Sequence, residues 1–334
     1  MPARPTIDFP FVAALMRDAT RKAVAARPAL PAEAIVRKPD GSVVTAVDVA
    51  LQIYILDALE RRFGPTVTIA EEDLSSIGGK PAAEAHCAEL LRSWGFDGGA
   101  ARRDWALSCG AFDAPTHEVD RVWVLDPIDG TQGFVDGDHW CPCLAMLERG
   151  EVVFAANGHP TVLGERFAGG IGLSAVRGAG TWVQAIDEGP GLAARAEVRQ
   201  DAPAAEEAVR VVAPARATES QIRMRRATGE ATGHPVRLVH SDSQTKYALV
   251  VAGEADIAFS RRGKGPGKYL WDHAGATLLA REAGAWVGDT DGGPIDCAQG
   301  RRISANNAVI CAARGLGPAV AASLAARDRA EGIG

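Results

Sequence analysis

The feature that most limits how this chain can fold is an apolar segment that runs directly into an acidic one. Residues 121–125 are mostly large or β-branched and predict a buried strand, and Asp-Pro-Ile-Asp-Gly-Thr follows at 126–131. The strand end would deliver two carboxylates to one edge of a sheet, Pro127 would fix the turn, and Gly130 could open a helix whose free N–H groups bind phosphate. The alternative is an ordinary acidic turn in which Asp129 caps that helix.

Helical and strand patterns divide the rest of the chain into two halves. Asp8 and Pro10 open a predicted helix that ends before Pro28, and a second helix runs from Thr45 to Gly64. The other predicted helices lie at 83–94, 219–226, 244–251 and 272–282. The other predicted strands lie at 66–70, 144–147, 152–156, 209–212, 236–239 and 255–259, with a long loop at 188–205. Strands alternating with helices in the second half indicate a layered α/β unit.

Composition and charge exclude several classes of protein. The chain has 334 residues, of which 47% are hydrophobic and 23% charged, as in an ordinary soluble enzyme. Its net charge of -6 argues against a nucleic-acid polymer as partner, and no segment approaches the ~20 apolar residues of a membrane span. The cysteines lack a zinc-finger or disulfide spacing, which predicts that Cys141 and Cys143 serve packing and favours the cytoplasm.

Further acidic groups also stand at the ends of predicted elements. Glu71, Glu72 and Asp73 follow the strand at 66–70, and Asp272 begins the helix at 272–282. Each has a structural alternative: a solvated acidic loop for the triplet, an N-cap for Asp272, and a capping box with Thr45 for Asp48. Together the carboxylates provide the all-oxygen ligand set that Mg²⁺ prefers over Zn²⁺.

The ordered set of these motifs resembles the inositol monophosphatase superfamily of metal-dependent, lithium-sensitive phosphatases. The motifs are Thr45-x-x-Asp48, Glu71-Glu72-Asp73, the hexapeptide at 126–131, and Trp271-Asp272-His273-Ala274. Three further stretches are more similar to the 3'(2'),5'-bisphosphate nucleotidase branch than to the inositol branch. These are Gly133-Phe134 with Gly137, Ala175-Val176-Arg177-Gly178, and Asp242-Ser243-Gln244-x-Lys246-Tyr247.

The resemblance implies an α/β (α+β) fold, a layered αβαβα sandwich with its site between two subdomains. We expect an N-terminal subdomain over 1–160 that carries most metal ligands and a C-terminal subdomain over 161–334 that carries the substrate-binding residues. The boundary itself is expected somewhere between residues 157 and 205.

The resemblance also implies a role for individual residues in binding two or three Mg²⁺ ions. Glu71, Asp126 and the Ile128 carbonyl would hold one ion, and Asp126, Asp129 and Asp272 a second, while Glu72 would support a water nearby. Asp48 and Thr131 would orient and deprotonate the attacking water. The residues expected to bind substrate are Gly130, Thr131, Asp242, Ser243, Lys246 and Arg301.

Three residues depart from the nucleotidase pattern. Gln132 and Asp136 stand where nucleotidases usually carry basic residues, and Arg216 stands where a histidine is usual. These changes could shift preference toward another bisphosphate or a less anionic substrate. They leave the predicted metal ligands intact.

The sequence therefore predicts a phosphoric monoester hydrolase that uses a metal-activated water on the 3'(2')-phosphate of adenosine 3'(2'),5'-bisphosphate or a close relative. The nearest alternative is an inositol or sugar phosphate phosphatase with the same metal ligands. An alternative of another class is a non-catalytic, ligand-sensing member of the fold. In each case the expected partner is a small phosphorylated metabolite, and the oligomeric state stays open.

Overall fold

The structure is a computed structural model that describes residues 7–162, 169–187, 193–262, 264–265 and 267–333. Its α-helices are α1 (Phe9–Ala26), α2 (Ala46–Phe63), α3 (Pro81–Ser93), α4 (Gly99–Ser108), α5 (Thr131–Asp136), α6 (Glu219–Glu230), α7 (Thr245–Val251), α8 (Ala274–Glu282) and α9 (Gly317–Glu331). Within the described ranges, no helix has both the length and the apolar character needed to cross a bilayer.

The strands follow one another in chain order from β1 to β16. They are β1 (Ile35–Arg37), β2 (Val43–Thr45), β3 (Val67–Ala70), β4 (Val122–Asp129), β5 (Cys141–Glu148), β6 (Glu151–His159), β7 (Ile171–Val176), β8 (Gly180–Ala185), β9 (Ala194–Ala196), β10 (Val209–Ala213), β11 (Val236–His240), β12 (Ile257–Arg261), β13 (Lys268–Tyr269), β14 (Trp286–Gly288), β15 (Arg302–Ile303) and β16 (Ala308–Ala312).

The two N-terminal helices start where their capping residues dictate. Asp8 accepts a hydrogen bond from the Phe11 amide at the start of α1, which confirms the predicted cap. Thr45 and Asp48 form a reciprocal capping box at the start of α2, because each side chain accepts from the other residue's backbone N–H. Gly64, with φ of 80°, ends α2 as predicted.

Two large sheets organise the molecule. The first has seven strands in sequential order from β3 to β9, with β3 parallel to β4 and every later pair antiparallel. The second has five strands in the order β11-β10-β12-β16-β14. Strands β4 and β5 are almost wholly buried, because helices cover both faces of the first sheet.

The helices and sheets form five layers. Helices α1 and α2 pack on one face of the first sheet, and α8 packs on its other face. Helices α7 and α8 also contact the second sheet, whose far side is covered by α6 and α9. This confirms the predicted αβαβα sandwich. The hydrophobic cores lie between these layers, and the first of them joins α1 and α2 to the inner face of β4 and β5.

The structure contains elements that were not predicted from the sequence, among them β7, β8, β16 and α9, and it differs from the prediction elsewhere. The strand predicted at 121–125 continues to Asp129, so the acidic motif lies within the strand rather than after it. The stretch after residue 95 forms α4, although its glycines weakened the helical pattern. Part of the loop predicted at 188–205 is strand β9, paired with β8, and residues 188–192 lie outside the described residues.

The division into subdomains at residues 160 and 161 stays a proposal. Strands β7, β8 and β9 lie beyond residue 160 but complete the first sheet. The second sheet begins at Val209, so the connection at 197–208 is the alternative that the topology favours. This connection overlaps the predicted boundary region of 157–205.

Candidate active site

A β-bulge brings Asp126 and Asp129 to the same face of β4. In the ladder with β5, Asp126 lies opposite Cys143 and Asp129 opposite Cys141, and the register shifts between the two pairs. Two residues, 127 and 128, therefore face the single Pro142. Aspartates three residues apart would point to opposite faces of a regular strand. The extra residue of the bulge shifts the alternation by one position, so both side chains point to the same face.

The bulge completes a compact group of carboxylates. Side-chain oxygens of Asp126, Asp129 and Asp272 lie within 4.8 Å of one another. Asp272 comes from the segment before α8, whose N-cap position is His273 and receives no side-chain hydrogen bond. The N-cap position of α5 is Gly130, also without a side-chain cap. The alternative interpretations of Asp129 and Asp272 as helix caps are therefore wrong.

The grouped carboxylates hold their protons more tightly than isolated ones. Removal from water and the neighbouring Glu71 raise the pKa of Asp126 well above its ordinary value. Removal from water raises the pKa of Asp129 strongly as well, and that of Asp272 to about 6. Concentrated negative charge in an all-oxygen group is what a hard divalent cation would neutralise, so the residues present fit Mg²⁺.

Glu71 and Glu72 face the same region from the end of β3. Removal from water, followed by repulsion from Glu72, raises the pKa of Glu71 to about 8. The Lys38 ammonium lies 2.8 Å from Glu72 Oε2 and 3.9 Å from Glu71 Oε1. Lys38 sits in the turn between β1 and β2 and brings a positive charge to these carboxylates.

The buried Gln52 fixes the backbone of this acidic turn. Its side-chain amide donates to the Glu72 carbonyl at 2.6 Å and accepts from the Glu72 N–H at 3.0 Å. The same amide donates to the Ala106 carbonyl at 3.1 Å. Helix α2 thus holds the Glu71–Glu72 pair through a side chain that is completely buried.

Asp48 and Thr131 form a hydrogen-bonded pair beside the carboxylates. Thr131 Oγ1 lies 2.9 Å from Asp48 Oδ1 and 3.1 Å from the Ile128 carbonyl oxygen. The other oxygen, Asp48 Oδ2, accepts from the N–H and hydroxyl of Thr45 at 2.9 and 2.5 Å. Burial, together with repulsion from Glu72, raises the pKa of Asp48 to about 7. A carboxylate with that pKa can accept a proton near neutral pH.

Gln244 connects carboxylates that come from distant parts of the chain. Its backbone N–H donates to Asp129 Oδ2 at 2.5 Å, and its side-chain amide donates to the Trp271 carbonyl at 2.7 Å. Its side-chain oxygen accepts from the Ala276 N–H at 3.0 Å at the start of α8. The preceding Ser243 adopts φ of 58°, an uncommon conformation for a residue with a side chain.

The substrate residues expected from the sequence take different positions around the carboxylates. The Lys246 ammonium donates to the Ser243 carbonyl at 2.7 Å and acts electrostatically on Asp129 and Asp272. Gly130, with φ of 87°, lies against Ser243, because a Cβ at this glycine would come within 2.9 Å of the serine Cβ.

Arg301 and Asp242 make contacts that the sequence did not predict. The Arg301 guanidinium stacks on Trp271, 4.4 Å from the ring centroid, and donates to the carbonyls of Ala70 and Phe112. Asp242 accepts from the Ala215 N–H at 3.1 Å. Arg301 thus borders the turn after β3, while Asp242 holds the loop that precedes α6.

The residues that depart from the nucleotidase pattern interact with one another. Gln132 donates to Asp136 at 2.9 Å, and Arg216 forms an ion pair with the same carboxylate. Arg216 also lies 3.9 Å from Asp138. The positive charge gained at Arg216 is therefore largely offset by the acidic residues beside it.

Sequence reasoning missed several residues around the carboxylates. Lys268 and Arg302, together with Lys246, act electrostatically on Asp272 and oppose the rise in its pKa that burial causes. Lys38 precedes Pro-Asp-Gly, a sequence that predicts a turn. This signal does not predict that the turn lies beside Glu71 and Glu72. Gln52 was detectable as a polar side chain among the apolar positions of α2.

The model of the family described as the inositol monophosphatase family matches residues 13–329. The chain belongs to this family. The match covers the fold and every carboxylate described above, which makes the protein a phosphatase of a metal-dependent family.

Curated relatives with similar sequences are named as nucleotidases. The 3'(2'),5'-bisphosphate nucleotidase of Emericella nidulans is 28% identical over 85% of this chain and 88% of its own length. The protein of the same name from Oryza sativa is 30% identical over 85% of this chain and 84% of its own length.

Solved structures of similar fold carry inositol monophosphatase names. The Thermotoga maritima IMPase aligns with a TM-score of 0.62 and 20% identity, over 96% of this chain and 98% of its own. A Staphylococcal inositol monophosphatase, described as an LiCl-soaked inhibitory complex, aligns with a TM-score of 0.60 and 16% identity, over 94% of this chain and 92% of its own. At these identities the likeness establishes the fold.

Proposed function

We propose that the protein is a Mg²⁺-dependent phosphomonoesterase that removes the 3'(2')-phosphate from adenosine 3'(2'),5'-bisphosphate. The observation that carries this proposal is the group formed by Asp126, Asp129 and Asp272, whose oxygens lie within 4.8 Å of one another. The sequence similarity to nucleotidases supports the choice of substrate.

Two overlapping sets of oxygen ligands would hold the cations. The first consists of Glu71, Asp126 and the Ile128 carbonyl, and the second of Asp126, Asp129 and Asp272. Glu72 would support a third position, where Lys38 now lies close to it. When bound, Mg²⁺ lowers the pKa of water and neutralises charge on the phosphoryl oxygens.

Thr131 and Asp48 would move the proton of the attacking water. The water oxygen forms a bond to phosphorus while its proton passes to Thr131 Oγ1, and the threonine proton passes to Asp48 Oδ1, 2.9 Å away. The phosphorus–oxygen bond to the sugar breaks, and the leaving oxygen takes up a proton from solvent. Thr45 holds the other Asp48 oxygen, which keeps the carboxylate directed at the threonine.

The remaining substrate contacts fall to groups that border the carboxylates. Gly130 and Thr131 would receive the scissile phosphate on their backbone amides. The phosphate that is not hydrolysed would meet Lys246, with Lys268 and Arg302 close to the same acidic residue. Asp242, Ser243 and Arg301 would line the nucleoside side.

The Lys246→Ala variant tests this substrate assignment. Losing a charge-assisted contact worth roughly 1.5 to 3 kcal/mol should lower kcat/KM for adenosine 3',5'-bisphosphate about tenfold to a hundredfold. Inositol 1-phosphate has no second phosphate, so its kcat/KM should change much less. Because Lys246 also acts on Asp129 and Asp272, both substrates are compared at saturating Mg²⁺.

Lys80→Ala provides the matched control, since this lysine is exposed at the start of α3. It should leave both substrates unaffected. Equal losses for both substrates in the Lys246 variant, or a wild-type preference for inositol 1-phosphate, would refute the nucleotidase assignment.

An inositol or sugar phosphate phosphatase is the second candidate. It is favoured by the pairing of Arg216 with Asp136, which leaves less positive charge for a second phosphate. Release of phosphate from a substrate panel separates the candidates, and absence of any Mg²⁺-dependent release would favour a ligand-sensing role.

Inhibition by Li⁺ is expected from the proposed oxygen-lined Mg²⁺ site. A small monovalent ion can occupy an oxygen-lined Mg²⁺ position without supplying enough charge to complete the cycle. Turnover measured at fixed ionic strength should fall when Li⁺ replaces Na⁺, and unchanged kinetics would contradict the prediction. We also propose a cytoplasmic location, which the free, buried cysteines support.

A further inference from the structure

Two cysteine thiols lie side by side against the carboxylate group. Cys141 and Cys143 point to the same face of β5, and their sulfur atoms are 3.4 Å apart. Both are free thiols and fully buried. The ladder sets Cys141 opposite Asp129 and Cys143 opposite Asp126, so the bulge that gathers the aspartates also places them beside the sulfurs.

The two thiols and Asp129 form a group of possible ligands with suitable spacing. One carboxylate oxygen of Asp129 and both sulfurs lie within 4.8 Å of one another. In the part of the chain that the structure describes, the only other such group of three is the one formed by Asp126, Asp129 and Asp272. Cys87, Cys109, Cys297 and Cys311 belong to neither.

A buried histidine lies beside the two thiols. His159 is 1% exposed, and its Nδ1 lies 3.2 Å from the Thr245 hydroxyl. The imidazole ring interacts with the Cys141 sulfur through a hydrogen bond and electrostatically. The thiol pair therefore has a nitrogen base next to it as well as the Asp129 carboxylate.

We propose that Asp129, Cys141 and Cys143 form a second metal site, for a thiophilic cation such as Zn²⁺ or Cd²⁺, that shares Asp129 with the Mg²⁺ site. Two sulfur ligands select soft or borderline cations, whereas the all-oxygen group selects Mg²⁺. On binding, each thiol releases its proton to solvent and ligates as a thiolate. His159, beside Cys141, is available as a neighbouring nitrogen donor.

Sharing Asp129 makes the two kinds of cation antagonists. Asp129 Oδ2 already accepts the Gln244 N–H, which limits how the carboxylate can turn between two ions. Two divalent cations on either side of one carboxylate also repel each other. A bound thiophilic ion therefore weakens Mg²⁺ binding and inhibits turnover. The binding site stands without the proposed function, whereas the inhibition rests on it.

Cadmium binding to the whole protein tests the site directly. Equilibrium dialysis should find one tight Cd²⁺ per chain, accompanied by the ultraviolet charge-transfer band of a cadmium–thiolate bond. The Cys141→Ala/Cys143→Ala double variant should bind Cd²⁺ more than about a hundredfold more weakly, since it lacks two of three ligands. Cys311→Ala, which removes a thiol buried in β16, should bind as wild type does.

Single variants keep the test valid if the double variant does not fold. Cys141→Ala and Cys143→Ala should each weaken Cd²⁺ binding about tenfold to a hundredfold, with folding checked by thermal unfolding. Absence of the tight site in wild type, or its retention without both thiols, would overturn the proposal.

The antagonism is tested on wild type alone. Raising Mg²⁺ should raise the apparent Kd for Cd²⁺ in dialysis, which requires no turnover. A Cd²⁺ affinity independent of Mg²⁺ would refute the shared ligand. Tight, Mg²⁺-sensitive Cd²⁺ binding in a protein that hydrolyses no phosphate ester would support the metal site and refute only the proposed function.

Discussion

Replacing Asp126 with asparagine should abolish turnover and yet stabilise the metal-free protein. Asp126 belongs to both proposed ligand sets, and an amide cannot supply the same charge to a cation. Its Oδ1 accepts the Ile128 N–H at 3.1 Å, a hydrogen bond that an asparagine oxygen can keep. The local backbone should therefore survive, while repulsion from the other carboxylates disappears.

The size of this stabilisation follows from the spacing of the carboxylates. At 4.8 Å, the limit for this group, and an effective dielectric constant of about 20, each ionised pair costs about 3 kcal/mol. The raised pKa values mean that the group retains protons instead of meeting this whole cost. We expect a net gain of about 1 to 2 kcal/mol at pH 8, or a few degrees in melting temperature.

Thermal unfolding in chelator and with Mg²⁺ measures both effects. The Asp126→Asn variant should melt above wild type in chelator and gain less from added Mg²⁺. Asp289→Asn is the matched control, because this buried aspartate accepts N–H bonds from Thr290, Asn307 and Ala308. The control should lose stability. If Asp126→Asn were destabilised like the control, or kept turnover, the assignment of Asp126 as a cation ligand would be refuted.

Two further predictions concern the proton acceptor and the charge of the site. Thr131→Val keeps the side-chain shape but removes the hydroxyl bonded to Asp48, so kcat should fall about 10²-fold to 10⁴-fold. The Mg²⁺ affinity, measured by titration, should stay near that of wild type. Loss of Mg²⁺ binding would show that the threonine acts on the cation. Asp48 and Glu71 have pKa values raised to about 7 and about 8, above their unfolded values near 4. The folded metal-free protein therefore holds protons that the unfolded chain has lost, and its stability falls as pH rises from about 5 through 8. The increase in melting temperature caused by Mg²⁺ should be larger at pH 8 than at pH 6, and an increment independent of pH would contradict this reasoning.

Part of the order of elements was predictable because it depends on local patterns. The caps at Asp8 and Thr45 and the stop at Gly64 are short-range signals, and they delimit the start of α1 and both ends of α2. The layered sandwich was predictable from the motif set as a whole. Strand β9 was missed because Ala-Arg-Ala has no strand pattern and is held by pairing with β8.

The sequence was sufficient to predict which acidic residues belong to the candidate site, but not which contacts hold them in place. Asp126 and Asp129 were found from their motif, yet the bulge that turns them to one face depends on pairing with β5. The contacts of Lys38 and Gln52 were not predictable because their partners, Glu71 and Glu72, are distant in sequence and meet them only in the folded chain.

The double role of Gln244 has a consequence for how the cleft can open. One residue holds Asp129 through its backbone and the carbonyl of Trp271, next to Asp272, through its side chain. The two carboxylates come from opposite halves of the chain, and the bond from the Gln244 N–H to Asp129 is the one of the two that joins these halves. The halves therefore cannot separate around the carboxylates without breaking it.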